Sequence, residues 1–106
     1  MAVKMENRGG ELVAHLSGEL DHHTAQGMRE AVDAAVERFM PRRLRLDFQG
    51  VSFMDSSGVG LVMGRYRLMN SMGGALLIEG ASERIGRMMK LAGLDRLNIW
   101  EAEEAK

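Results

Sequence analysis

An aspartate, two adjacent serines and three glycines cluster in Asp55-Ser56-Ser57-Gly58-Val59-Gly60, continuing to Gly64. Hydroxyls in such a setting can attack a substrate, cradle a phosphate, cap a helix or accept a phosphoryl group. A serine-hydrolase elbow needs G-x-S-x-G, because its strained turn demands small residues two before and two after the nucleophile. Ser57 has Asp55 and Val59 at those places, and Ser56 has Met54 and Gly58, so neither qualifies. The histidines His15, His22 and His23 lie far back in the chain, and no local signature ties one to a serine as its base. Gly58, Gly60 and Gly64 form G-x-G-x-x-x-G, one residue too long for a dinucleotide turn, and no G-K-[ST] marks a P-loop. His22 and His23 are neighbours; on a helix they would point ~100° apart and share an ion poorly. No catalytic residue, metal site or cofactor is expected.

Helix capping is the plain alternative. A serine hydroxyl that accepts a bond from an amide in the first helical turn is worth ~1 kcal/mol. Capping does not account for the glycines. Gly60 and Gly64 share one helical face, and each costs up to ~1 kcal/mol relative to alanine. That loss points to a close approach on this face, by the chain's own sheet or by a partner.

The elements around this stretch are legible from periodicity. Val3 to Asn7 and Glu11 to Ser17 flank Arg8-Gly9-Gly10, a hairpin turn. Asp21 is placed to cap a helix whose buried stripe is Ala25, Met28, Val32, Ala35, Val36 and Phe39, ended by Pro41. Leu44, Leu46 and Phe48 alternate with Arg43, Arg45 and Asp47, a strand with one covered and one partly wet face. A helix follows the serines, with Val59, Val62, Met63, Tyr66 and Met69 as its expected buried stripe. Ala75 to Glu79 reads as a strand, and Ser82 with Ile85, Met88, Met89 and Ala92 as a helix stopped by Gly93. Arg96 to Trp100 reads as a last strand, and the acidic tail from Glu101 to Lys106 as frayed. The order ββαβαβαβ makes a small α/β sandwich: a mixed, mostly parallel sheet with its helices on one face.

At 106 residues the chain is one domain, 1–106, able to bury roughly 65% of its unfolded surface without staples. It has no cysteine, no apolar leader in MAVKMENRGG and no apolar run near the ~20 residues of a membrane span. A formal charge of -1 gives no long-range pull toward nucleic acid or anionic lipid, and Arg42, Arg43 and Arg45 read as a solvated strand face. A cytoplasmic protein without direct nucleic-acid or membrane contact is expected. The ten methionines fall mostly on buried stripes and read as core filler.

Two blocks carry a resemblance: Leu16-Ser17-Gly18-Glu19-Leu20-Asp21-His22-His23-Thr24-Ala25, and Phe53 to Gly60 with Gly64-Arg65-Tyr66. Together with the element order, they resemble the anti-sigma factor antagonists of the STAS class, with the double histidine nearest the sporulation branch. The resemblance implies a non-catalytic regulator that binds an anti-sigma factor, itself a serine kinase, and so frees a sigma factor. It implies phosphorylation of the second serine of the block, Ser57, and reversal by a serine phosphatase. It also implies partner contacts at Asp21, Asp55, Ser56, Ser57, Gly58, Gly60 and Gly64. Family members often carry a final helix, where only Ala102 to Lys106 follow the last predicted strand. A STAS scaffold of a stress-signalling complex, or an accessory subunit of a transporter, is the alternative.

Overall fold

The computed structural model describes residues 2–100. Strands β1 (Val3–Arg8) and β2 (Glu11–Leu20) form an antiparallel hairpin. Gly9 and Gly10 make its turn with φ of +51° and +93°, the left-handed values a tight hairpin requires. Helix α1 (Ala25–Phe39) follows, then β3 (Arg43–Met54), α2 (Ser56–Ser71), β4 (Ala75–Glu79) and α3 (Glu83–Leu91). Each later strand adds parallel to its predecessor, so the sheet order is β1-β2-β3-β4.

The sheet's inner face is the core. Leu12, Ala14, Leu16, Leu44, Leu46, Phe48, Leu76 and Ile78 are all buried there. Helix α1 packs on β1 and β2, α2 on β3 and β4, and the two helices meet each other. Ile85 and Met89 of α3 join the same cluster. Fully burying a leucine or phenylalanine side chain contributes roughly 1.5–3 kcal/mol, so this one layer dominates the fold's stability.

The other face is a lattice of charge. Arg45 bridges Glu11 at 2.9 Å and Glu79 at 3.1 Å; of the three arginines read as a solvated strand face, Arg42 precedes β3 and Arg45 is half-buried in these ion pairs, which leaves Arg43 exposed on the strand. His15 lies between Glu6 at 2.9 Å and Asp47 at 2.7 Å. Val13, in register with Glu6 and Arg45 on this face, is fully buried all the same.

Three expectations shift. Phe39, read on the buried stripe of α1, is exposed at the helix end. The final strand shrinks to a single parallel bridge between Ile78 and Trp100, because a 3-10 turn at Leu94–Arg96 and the bonds around it use those residues. Among the described residues the pairing is marked by Ile78 N donating to Ile99 O at 2.7 Å. The expected frayed tail lies outside the described residues. The buried stripe of α2 is Gly58, Leu61, Val62, Arg65 and Met69, while Val59, Met63 and Tyr66 are half-buried. An arginine sits where the apolar pattern gave none.

Candidate functional site

The parallel pairing of β2 and β3 carries the two sequence blocks to one end of the sheet. Glu19 pairs with Phe53 and Leu20 with Met54, and Asp55 N donates to Leu20 O at 3.2 Å. Gly18, at φ +82° beside two register shifts, bends β2 so that its last residues follow β3 to this end. Asp21 and His22 thereby stand beside Asp55, with His22 Nδ1 at 4.0 Å from Asp55 Oδ2.

Asp21 accepts bonds from the amides of His23 at 2.9 Å and Thr24 at 3.1 Å. Its carboxylate therefore caps the turn that leads into α1 and not the helix itself, the role expected of it; Thr24, three residues on, holds the cap position. Burial works to raise the Asp21 pKa, but the two amides and the Thr24 hydroxyl outweigh it, leaving the group below the ordinary carboxylate range. The rings of His22 and His23 lie 3.9 Å apart, tilted by 39°. Among the described residues no cluster of three or more His, Cys, Asp or Glu side chains is disposed to hold a metal.

At the start of α2, Asp55 is the N-cap: its Oδ1 accepts from Ser57 N at 2.8 Å. The serines are thus relieved of the capping role that their position suggested. Ser56 is exposed and Ser57 half-buried, and neither hydroxyl has a hydrogen-bond partner among the described residues. Gly58 leaves the expected partner surface. It is buried, and a Cβ there would run into the Met54 side chain and come within 3.2 Å of Leu20, so internal packing explains this glycine. Gly60 and Gly64 differ: a Cβ at either would meet nothing within 4 Å. They open a groove between α1 and α2, about 390 Å³ in volume, shared with Ser57 and with Gln26, Arg29 and Arg65.

Periodicity did not reveal those last three residues. Arg65 is only 7% exposed, with its Nε 2.8 Å from Asp33 of α1. The approach is too oblique for a hydrogen bond, which leaves both atoms as a bare ion pair. Burial lowers the Arg65 pKa, the Asp33 charge raises it, and the nearby Arg29 charge lowers it again. The only available signal was a charged residue interrupting an apolar stripe, and its partner lies on a different helix.

A mixed, mostly parallel sheet backed by helices, with a serine at the helix start beyond its strand ends and the aspartate block beside it, defines a class. The chain matches the STAS domain over residues 2–105 and belongs to that family. It is similar to the anti-sigma F factor antagonist of Paenibacillus polymyxa, 36% identical over 97 residues, which span 92% of this chain and 83% of the relative. It is also similar to the anti-sigma factor antagonist SpoIIAA in its unphosphorylated form, at 30% identity and a TM-score of 0.73, covering 98% of this chain and 94% of that one. The phosphorylated form of SpoIIAA, a Bacillus cell fate determinant, gives 31% identity and a TM-score of 0.74 over 98% and 95% of the two chains. The chain therefore falls among the anti-sigma factor antagonists of the family, whose members are regulatory rather than catalytic. Among the described residues no helix is long and apolar enough to cross a membrane.

Proposed function

We propose that this chain is a cytoplasmic partner switch acting on sigma-dependent transcription of the sporulation type. Unphosphorylated, it binds an anti-sigma factor that is also a serine kinase, and the sigma factor is released. The kinase then moves the γ-phosphoryl group of ATP to Ser57 Oγ. The P–O bond to ADP breaks, the hydroxyl proton leaves to a base of the kinase, and a phosphatase later hydrolyses the ester.

One observation carries the reading: Ser57 sits in the first turn of α2 with its hydroxyl uncommitted, because Asp55 occupies the cap. The relative SpoIIAA, which exists in phosphorylated and unphosphorylated forms, supports it. Magnitudes decide how the switch works. A phosphate adds about -1.5 to -2 charge. At ~6 Å from Asp55 that costs ~1 kcal/mol in water-like surroundings and ~5 at an effective dielectric of 20, partly offset by roughly 0.3–1 from the helix terminus. The domain tolerates such a term where water reaches the group. In a closed interface an unpaired dianion costs several kcal/mol, and each 1.4 is tenfold in affinity. The partner is lost while the fold stays.

Incubation with ATP and the cognate kinase, followed by tandem mass spectrometry, should find phosphate on Ser57 alone. Phosphate on Ser52, Ser56 or Thr24 instead would overturn the assignment. Ser57→Ala should keep partner binding and resist inactivation, and Ser57→Asp should weaken binding, though less than phosphate does.

A further inference from the structure

The groove between α1 and α2 carries more cation than anion. Two guanidinium groups line it, Arg29 from α1 and Arg65 from α2. Asp33 pairs with Arg65 only, and Arg29 has no ion pair or hydrogen bond among the described residues. The positive charge on Arg29 already works against that on Arg65. Glu30, one residue along α1, is engaged by the Gln26 amide at 3.1 Å. Ser57 lines the same groove, and the floor is open because Gly60 and Gly64 put no side chain into it.

On the reading that Ser57 is phosphorylated, we propose that this groove receives the phosphate, with Arg29 as its counter-ion. Two forces give the direction. Asp55 caps α2 from the strand side, where its carboxylate repels a phosphoserine and its bond to Ser57 N leaves that amide unable to serve the phosphate. The groove side offers the Arg29 fork, suited to paired acceptor oxygens. A phosphate seated there lies over Gly60 and Gly64. Phosphorylation then does two things: it adds charge at Ser57, and it fills the open strip of α2 that a partner would enter. The glycines are needed in both states, empty for the partner and occupied by the phosphate.

The test installs phosphoserine at position 57 during translation, so no kinase is required, and follows the phosphorus resonance through a pH titration. In the otherwise wild-type protein the second phosphate pKa should fall about one unit below its usual ~6, because a cation held close favours the dianion. Arg29→Gln should return it to the ordinary value, Arg29→Lys should keep part of the shift, and Gly64→Gln should diminish it by filling the floor. Arg29 is exposed, so thermal melts of the two unphosphorylated Arg29 variants should match the wild type. Identical titrations in the wild-type and Arg29→Gln backgrounds overturn the proposal. A chain that shows the shift but is not phosphorylated by any anti-sigma kinase keeps the groove assignment and loses the partner-switch reading. Kinase transfer to Ser57 without the shift does the reverse.

Discussion

Asp55 holds the Ser57 amide at 2.8 Å, so one carboxylate starts α2 and leaves the serine hydroxyl to other chemistry. Removing it should be felt in both roles. Asp55→Ala loses a cap worth ~1 kcal/mol, a fall of roughly 4–8 °C in melting temperature for a domain of this size. The freed amide would then recruit a serine hydroxyl, and phosphoryl transfer to Ser57 should slow. Asp21→Ala gives the contrast, since its carboxylate holds the amides of His23 and Thr24 and touches neither serine. A thermal melt paired with a partner titration separates the cases. Lower stability with unchanged binding would leave Asp21 a purely structural part. At this scale the sequence was legible in type but ambiguous in assignment. Asp55, Ser56 and Ser57 are all good cap residues, and only the folded backbone decides which of three adjacent side chains meets the amide.

Helix α2 is the element on which the switch depends, and its glycines divide by what surrounds them. Gly58 faces Met54 and Leu20, so Gly58→Ala overpacks the core and should cost ~1–3 kcal/mol. Gly64 faces open space, so Gly64→Gln should keep or raise the melting temperature, by up to ~1 kcal/mol of helix propensity, while weakening partner binding. A lower melting temperature with normal binding at Gly64→Gln would reverse the assigned orientation. At ~100° per residue Gly64 lies ~100° from Met63 and ~160° from Tyr66, which turns it away from the expected stripe, although those two residues are only half-buried. The full face was harder to read, because Arg65 is held by Asp33 from α1 and a single-helix pattern carries no record of a partner on another helix, with β3 between the two in sequence. Elements closed by local chemistry read well: the Gly9-Gly10 turn, the β3 alternation, and α3 between the Ser82 cap, which accepts from Ile85 N at 3.1 Å, and Gly93 at φ +97°. The last predicted strand failed for the opposite reason, since its fate depended on competing 3-10 bonds and a distant edge.

Across the whole molecule, the charged face of the sheet links folding to pH without touching the switch. Glu6 of β1, His15 of β2 and Asp47 of β3 form one chain, with Arg8 on Glu6 and the Glu11–Arg45–Glu79 set alongside. Bonds from Glu6, then Asp47, hold the His15 pKa above its usual 6.5 against the opposing effect of burial. Protonated His15 is thus favoured in the folded state. Its contribution is complete below pH 6.5 and is lost as pH rises through the raised folded value. Glu6 works in the other direction. Arg8, then His15, lower its pKa from 4.5 to about 2, so its contribution is present above 4.5 and fades as pH falls toward 2. Its side chain is 41% exposed, so salt should blunt that acid limb more than the His15 limb. The expected profile is a stability maximum between pH 4.5 and 6.5, declining on the alkaline side well before any lysine titrates. His15→Gln should remove the alkaline decline, so its urea midpoint, read from pH 5 to 9, should approach the wild-type value as pH rises. A constant gap between the two proteins would mean that His15 supports the sheet by packing alone. Partner binding measured on the same variant should not change, because this network lies on the face opposite the helices that carry Ser57 and its groove.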